Sequence, residues 1–267
     1  MEVNDFSQEI SNTCNVKEQN EIAILVYTHS EYSFIWKAMI PLLEKYAKNI
    51  DIHWLYEDTI DNNLIENTIP SNWIKHTYNE ELIWTYRVNK ALNEISNDYI
   101  LFLHEDWLPI GDVNINVLHD MIKFMKEINS GFLLSYAHIS TIIRQSGIFS
   151  GYKDYYFYSE YSHIFQPAIW KKSVFIHFCN SLPKNKNQNE DQDCLNFMNL
   201  HNCWSIQNKE TVLSLRTTNS LFYPHMHALS EGLWNFKKYP TLKNMLETFG
   251  IDTETRGIHT WWELDTQ

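Results

Sequence analysis

The chain has 267 residues, of which 44% are hydrophobic and 20% charged, and its formal net charge is −12. A chain of this length and composition can bury a large core, which excludes extended disorder. The negative charge argues against nucleic acid or an anionic membrane as a partner, because both are bound through basic surfaces. A phosphorylated ligand would need a metal ion or a few well-placed cations.

The N-terminus and the cysteines indicate a cytoplasmic protein. Residues 1–20 are polar and unpatterned, so we expect a flexible leader, and the first apolar run begins at Ile22. That run is too short to cross a bilayer, and nothing resembles a signal peptide. The 4 cysteines form neither a CxxC pair nor a zinc spacing. We therefore expect no transmembrane segment and no structural disulfide framework.

Apolar runs and helical periods alternate through the first half of the chain. Residues 21–29 predict a buried strand, residues 32–47 a helix and residues 50–56 a second strand, which together favour a parallel sheet. The later elements predicted in this half are a loop over 59–79 with a short strand near Trp73, a helix over 80–95, a strand over 99–103, a helix over 114–128 and a strand over 131–136.

The second half alternates less regularly. Residues 140–161 are rich in Tyr, Gly and Ser and predict a flexible segment over a site. The remaining predicted elements are an extended piece over 164–170, a helix to about 178, a loop over 183–190, a helix over 191–200, a strand over 211–215, an extended stretch over 221–228 and a helix near 240–248. The absence of repeats and low-complexity linkers favours one α/β domain with a mostly parallel sheet flanked by helices.

The triplet His104-Glu105-Asp106 follows the buried strand over 99–103. Open α/β sheets bind ligands beyond the carboxyl ends of their strands. Two acids at such an end suit a divalent cation that holds phosphates. The alternative is an acidic turn that only caps the following segment.

A second acidic cluster, residues 189–193, begins a predicted helix. Three acids there would complement the helix dipole without any catalytic role. Alternatively, Glu190 or Asp191 could take the proton of an acceptor hydroxyl.

Two histidines, His225 and His227, are separated by one residue. In a strand such residues share a face, so either could complete a metal shell beside Asp106, or both could be ordinary surface residues. Arg87 and Lys90 lie on the helix before the acidic strand. They could contact a nucleotide or diphosphate, or remain solvated.

Several common motifs are missing. The chain has no GxGxxG, no GxxxxGK[ST], no GxSxG and no HExxH. These absences disfavour dinucleotide-binding proteins, P-loop enzymes, serine hydrolases and zincins.

Taken together, these pieces resemble nucleotide-sugar-dependent glycosyltransferases of the GT-A fold, of the kind found in bacterial surface-polysaccharide clusters and large DNA viruses. The resemblance covers about residues 22–235. It is carried by the helix pattern Trp84-x-x-Arg87-x-x-x-Ala91-Leu92 before the acidic strand, and by residues 28–36, 166–171 (Gln-Pro-Ala-Ile-Trp-Lys) and 227–234. The chain departs from the pattern at His104, where the first acid of the triplet is usual, at Phe34, where an acid is expected, and at Leu233, where a lysine is expected.

The resemblance implies a single GT-A domain over 21–235, with a nucleotide-binding half (21–136), an acceptor half (137–235) and a C-terminal helical tail (236–267). It implies a nucleoside-diphosphate sugar as donor, a glycan, glycolipid or glycoprotein hydroxyl as acceptor, and an inverting reaction that depends on Mn²⁺ or Mg²⁺. The donor-binding residues that the resemblance implies are Thr28, His29, Tyr32, Glu57, Asp58, Glu105 and Asp106, and the candidate cations Arg87 and Lys90 join them. The implied metal ligand is Asp106, with Glu105 as an auxiliary in the same shell, which His225 or His227 could complete. The implied base is Asp191, with Glu190 close behind.

Two other functions stay open. A nucleotidyltransferase acting on a sugar phosphate uses a similar sheet and metal, but it favours a glycine-rich loop after the first strand, and residues 28–36 contain no glycine. An aromatic-rich glycan-binding module is the non-catalytic alternative, and it would not need acids at a buried strand end.

Overall fold

The computed structural model describes residues 21–127, 130–134, 156–158, 167–181, 211–216, 222–230 and 232–259. Several predicted features fall outside these ranges. They are the leader, most of the 140–161 segment, the loop and helix over 183–200 with Glu190 and Asp191, and the end of the tail.

Strands and helices alternate along the first part of the described chain. The strands are β1 (Ile22–Tyr27), β2 (Asp51–Glu57), β3 (Ile74–Tyr78), β4 (Tyr99–His104), β5 (Trp107–Pro109), β6 (Ser130–Leu134), β7 (Tyr156–Tyr158), β8 (Ala168–Lys171), β9 (Thr211–Arg216), β10 (His225–His227), β11 (Leu229–Ser230) and β12 (Leu233–Trp234). The helices are α1 (Trp36–Tyr46), α2 (Asn62–Thr68), α3 (Trp84–Glu94), α4 (Ile115–Glu127), α5 (Lys172–Ser181) and α6 (Leu242–Thr248), and a 3-10 helix (Ser30–Ile35) precedes α1.

Eight strands form one sheet in the order β3-β2-β1-β4-β8-β6-β9-β7. The strands β3, β2, β1 and β4 are parallel neighbours, whereas β8 runs antiparallel to both β4 and β6. The sheet is therefore mostly parallel with a reversed strand near its middle. The predicted fold class, α/β with a mostly parallel sheet flanked by helices, is confirmed.

The core lies on both faces of this sheet. In β1, Ile22, Ile24 and Val26 face a cluster that includes α1, α4 and the C-terminal segment, whereas Ala23 and Leu25 face a cluster that includes α3 and α5. All the residues of β1 are fully buried, as expected for a central parallel strand. Each large apolar side chain buried in this way stabilises the fold by about 1.5–3 kcal/mol.

Three local features differ from the prediction. Residues 32–47 are not one helix, since α1 begins only at Trp36, after the 3-10 helix. The predicted loop over 59–79 contains the short helix α2, whose N-cap Asp61 accepts a hydrogen bond from the backbone N–H of Asn63. This helix is mostly polar and buries only Ile65, so it lacks the apolar stripe by which helices are recognised.

The third difference is β5, which pairs antiparallel with β10 so that Trp107 lies opposite His227. β5 contains Pro109, and a proline is tolerated in a short two-stranded ribbon such as this one. None of the helices in the described ranges is long and apolar enough to cross a membrane.

Candidate active site at the carboxyl ends of β1, β2 and β4

Three neighbouring parallel strands end at one edge of the sheet. Thr28 follows β1, Glu57 closes β2 and Glu105 follows β4, with β1 in the middle. All three residues are buried. The carboxyl ends of parallel strands are where open α/β sheets bind ligands, so this edge is the candidate site.

Two buried carboxylates hold the loop that leaves β1. The backbone N–H of His29 donates to Oε1 of Glu105 at 2.8 Å, and that of Ser30 donates to Oε1 of Glu57 at 2.9 Å. The side chains of Glu105 and Glu57 are 2% and 3% exposed. The backbone amides of His29 and Ser30, at the start of the 3-10 helix, are therefore satisfied by acids from the two strands that flank β1.

Tyr78 at the end of β3 completes this support. Its hydroxyl donates to the carbonyl of Thr28 at 2.6 Å and lies 3.3 Å from Oε1 of Glu57. The Thr28 hydroxyl donates to the carbonyl of Leu55 at 3.0 Å. Burial raises the pKa of Tyr78, so its hydroxyl keeps its proton and remains a donor.

Glu105 lies in a site that disfavours its charge. Its pKa is raised to about 8, mainly because of burial; His29 opposes this shift, and the negative charge of Asp106 contributes to it. At neutral pH the Glu105 carboxyl group is therefore mostly protonated. A protonated carboxyl can still accept the His29 hydrogen bond through its carbonyl oxygen.

Asp106 points to another part of the chain. Its Oδ2 lies 3.0 Å from Nε2 of His227, and the two side chains are 20% and 22% exposed. The backbone N–H of Ala228 donates to the Asp106 carbonyl at 2.7 Å, which fixes the two segments against each other. The predicted proximity of His227 to Asp106 is thus seen in the structure.

The imidazole of His227 is held from two sides. Its ring stacks on Trp107, with centroids 3.9 Å apart and planes at 3°. Its Nδ1 lies 3.5 Å from the hydroxyl of Ser230, to which the Asn235 side-chain amide donates at 3.0 Å. These contacts orient Nε2 towards Asp106, as outer partners commonly do for functional histidines.

His225 has different surroundings although it shares a strand face with His227. Its Nδ1 lies 2.6 Å from the carbonyl of Tyr223. The centres of the His225 and Trp107 rings are 4.8 Å apart, with their planes at 77°. Burial lowers the pKa of His225 to about 4, so it is neutral under ordinary conditions. Its observed contacts are those of a packed side chain.

Two side chains at this edge are candidates for metal binding. Asp106 and His227 are close together and partly exposed, so their oxygen and nitrogen atoms could hold a divalent cation. Among the residues that the structure describes, no group of three or more His, Cys, Asp or Glu side chains is arranged to hold a metal. The described residues therefore supply two candidate ligands, and Glu105, which accepts from the His29 backbone, lies outside this pair.

Arg87 and Lys90 contact residues near the ends of β1 and β3. Arg87 donates to the Tyr27 hydroxyl at 2.7 Å and lies 4.9 Å from the centre of the Tyr78 ring. Lys90 donates to the carbonyl of Thr77 at 3.1 Å. Contact of either cation with a nucleotide stays a prediction.

The other predicted donor-binding residues surround the loop after β1. The ring of Tyr32 lies edge-on to that of His29, with the ring centres 6.3 Å apart. Asp58 is exposed, and its backbone N–H donates to the Tyr78 carbonyl. The Thr28 hydroxyl donates to the Leu55 carbonyl. The proposed bases Glu190 and Asp191 lie outside the described residues.

Four residues at the site were not predicted. Three of them support predicted residues: Tyr78 holds the β1 loop, while Trp107 and Asn235 hold His227 and the residues beside it. The fourth, Arg256, packs over the ring of Tyr32 at 5.3 Å. Arg256 belongs to the expected tail, and no local pattern connects it to the sheet edge.

No protein-family model and no curated protein sequence matches this chain. Among solved structures, Staphylococcus aureus TarS is similar over 88% of this chain and 40% of its own, at 12% identity and a TM-score of 0.46. A cytidylyltransferase from Leptospira borgpetersenii is similar over 90% of this chain and 99% of its own, at 11% identity and a TM-score of 0.48.

A putative nucleotide-diphospho-sugar transferase from Desulfovibrio desulfuricans G20 is similar over 86% of this chain and 98% of its own, at 10% identity and a TM-score of 0.46. This chain therefore spans two-fifths of TarS and nearly the whole of the other two proteins. These identities and scores are too low to assign a function.

Proposed function

We propose that this chain is a glycosyltransferase that moves a sugar from a nucleoside-diphosphate sugar to a hydroxyl of a glycan or glycoconjugate. The observation that carries the proposal is the Asp106–His227 pair beside the loop after β1. It provides a partly exposed carboxylate and imidazole 3.0 Å apart, next to a backbone loop fixed by Glu57 and Glu105.

The two parts of the edge suit the two parts of a donor. The loop from Thr28 to Tyr32 offers a rigid backbone and two rings, His29 and Tyr32, against which a base can lie. The Asp106–His227 pair suits the diphosphate through a shared cation. Rigid support of this kind reduces the ordering cost when a ligand binds.

The reaction requires one proton acceptor and one leaving group. The acceptor oxygen bonds to the anomeric carbon as the bond from that carbon to the diphosphate oxygen breaks, and the acceptor proton passes to a carboxylate. We assign that carboxylate to Asp191, with Glu190 as the neighbouring acid. The chemistry that Mg²⁺ or Mn²⁺ supplies when bound is neutralisation of charge on the departing diphosphate.

The second candidate is a nucleotidyltransferase that joins a nucleotide to a sugar phosphate. It uses the same sheet edge, and the Asp106–His227 pair would serve it equally well. The sequence of the β1 loop favours glycosyl transfer, since residues 28–36 contain no glycine to let backbone amides wrap a triphosphate.

One experiment separates these functions. The protein is incubated with Mg²⁺ and either a panel of nucleotide sugars with glycan acceptors or a panel of nucleoside triphosphates with sugar phosphates, and the products are followed by ³¹P NMR. Glycosyl transfer releases a nucleoside diphosphate, whereas nucleotidyl transfer needs a nucleoside triphosphate and a sugar phosphate and releases pyrophosphate.

Ligand binding provides the control. Thermal shift with the same panel, with and without Mn²⁺, should show stabilisation by at least one nucleotide sugar. If no nucleotide sugar stabilises the protein but free glycans do, the proposal fails and the glycan-binding module is favoured.

A further inference from the structure

A cavity of about 570 Å³ lies between the start of α1 and the segment that follows α6. Phe34 and Lys37 line it from the first side, and Asp252, Thr255 and Arg256 line it from the second. Its volume is within the range of small-molecule binding pockets. Neither the donor-binding residues nor the Asp106–His227 pair lines it.

Arg256 is held in place by aromatic rings. Its guanidinium lies 4.7 Å from the centre of the Phe34 ring and 5.3 Å from that of Tyr32, and one of its nitrogens donates to the Gly232 carbonyl at 3.2 Å. Stacking fixes the plane of the guanidinium, and one hydrogen bond leaves most of its five donors available. Such a group is well suited to receive a planar or tetrahedral oxyanion.

Two positively charged side chains, Lys37 and Arg256, line the cavity. Among the described residues, no carboxylate lies within salt-bridge distance of Lys37 or Arg256, although other lysines, such as Lys243 with Glu254, are paired. Asp252 lies in the same lining, but its Oδ1 accepts the backbone N–H of Glu254 at 2.9 Å. In a chain with a net charge of −12, two cations at one cavity without a carboxylate partner among the described residues are a distinctive feature.

The cavity is next to the candidate active site. Tyr32 contacts Arg256 through one face of its ring and lies edge-on to His29, whose backbone N–H bonds Glu105. A ligand in the cavity would therefore be separated from the donor loop by a single aromatic side chain.

We propose that this cavity binds the phosphate or carboxylate of a charged sugar, with Arg256 and Lys37 on the oxyanion and Phe34 against the sugar ring. The assignment of that sugar to the acceptor rests on the proposed glycosyl transfer, whereas the binding of the anion does not. The chain would thereby distinguish charged acceptors from neutral ones.

The test is an NMR titration of the full chain, without donor, with glucose 6-phosphate, glucuronate and uncharged glucose. Lys37→Gln removes one cation, and Lys45→Gln is the matched control, because Lys45 lies on the same helix and bonds the Tyr46 hydroxyl instead. We expect Lys37→Gln to weaken binding of the charged sugar about threefold, as for an exposed ion pair, and Lys45→Gln to leave it unchanged. Arg256→Gln should weaken it at least about tenfold, since a charge-assisted fork is lost.

Each outcome decides the proposal. Selective binding of either anion over glucose, sensitive to Lys37 and not to Lys45, supports it, and the tighter of the two anions identifies the oxyanion. Equal binding of glucose, or equal loss in the two lysine variants, overturns it. Nucleotide-sugar binding by the unmodified chain is measured separately, so that failure of the donor assignment and failure of the anion site are distinguishable.

Discussion

The backbone N–H of His29 donates to the buried carboxyl group of Glu105 across 2.8 Å, which links the ends of β1 and β4. The acid that directly precedes Asp106 is thus used to shape the loop after β1. Glu105 and Asp106 are adjacent in sequence, but they contact different partners.

The first prediction concerns Glu105 and pH. Its pKa is about 8 in the folded protein and about 4.5 when exposed, so between these values the folded state binds the extra proton and stability falls as pH rises. Glu105→Gln removes this effect while keeping the oxygen that accepts from His29. The variant should become increasingly more stable than the unmodified protein from pH 5 to pH 8, by at most about 1.4 kcal/mol per pH unit.

Urea unfolding in EDTA at several pH values measures this difference. Glu44→Gln, at an exposed position on α1, is the matched control and should follow the unmodified protein. Parallel stability profiles for Glu105→Gln and the unmodified protein would show that Glu105 is already ionised at neutral pH.

The second prediction concerns the Asp106–His227 pair. If both residues share a cation with the donor, Asp106→Asn and His227→Gln should each raise the Mn²⁺ concentration needed for half-maximal turnover by about 10–100-fold. The double variant should need little more Mn²⁺ than either single variant. Donor turnover as a function of Mn²⁺ concentration is the measurement. Full turnover in Asp106→Asn at limiting Mn²⁺ would contradict the assignment.

A third prediction separates the two histidines of β10. His225 is packed against Trp107 and hydrogen-bonded to the Tyr223 carbonyl. His225→Asn should therefore leave the Mn²⁺ concentration for half-maximal turnover unchanged. The same titration that follows His227→Gln tests it. A shift as large as that of His227→Gln would make His225 a ligand.

The fourth prediction concerns a buried histidine pair far from the site. Nδ1 of His53 lies 2.8 Å from Nε2 of His76, whose Nδ1 lies 2.8 Å from Oε2 of Glu94. Burial, with a smaller contribution from the neighbouring His76, lowers the pKa of His53 to about 4. The unfolded chain therefore binds a proton that the folded chain rejects, and stability falls as pH drops from about 6.5 to 4.

The loss attributable to His53 is about 3 kcal/mol over this pH range. His53→Asn keeps a polar atom near the Nδ1 position but does not titrate, so its stability should fall less between pH 7 and pH 5. Chemical unfolding at the two pH values measures the difference. An unchanged loss would assign the acid sensitivity to other groups, of which His225 is the first to examine.

The fifth prediction concerns the proposed base. Asp191→Asn should leave nucleotide-sugar binding within about twofold and reduce transfer by at least about 100-fold, since general-base catalysis contributes 10²–10⁴-fold. Asp193→Asn, in the same acidic cluster, is the matched control. Loss of donor binding in Asp191→Asn would indicate a structural role instead.

The central strands and the position of the site could be predicted from the sequence. The apolar runs of β1 and β4 are buried on both faces, which leaves a continuous hydrophobic signal, and the acids that follow β4 and close β2 mark the sheet edge. The helix α2 could not be recognised, because only one of its residues is buried.

The partners within the site could not be predicted in the same way. Asp106 and His227 are 121 residues apart, and their contact depends on the pairing of β5 with β10. The spacing of His225 and His227 placed them on one face, but only the surrounding atoms distinguish a packed imidazole from one that faces a carboxylate. Arg256 has no neighbouring pattern in sequence, since its partners are Tyr32 and Phe34.

The reversed direction of β8 has a consequence for the edge of the sheet that carries the candidate site. Ala168 pairs with Phe102, so β8 begins beside the carboxyl end of β4, at the edge that holds Glu105 and Asp106. The parallel strands β1, β2 and β4 end at this edge. Substitutions at the start of β8 would therefore act on the edge that holds Glu105 and Asp106, whereas substitutions near Lys171 would act at the opposite edge.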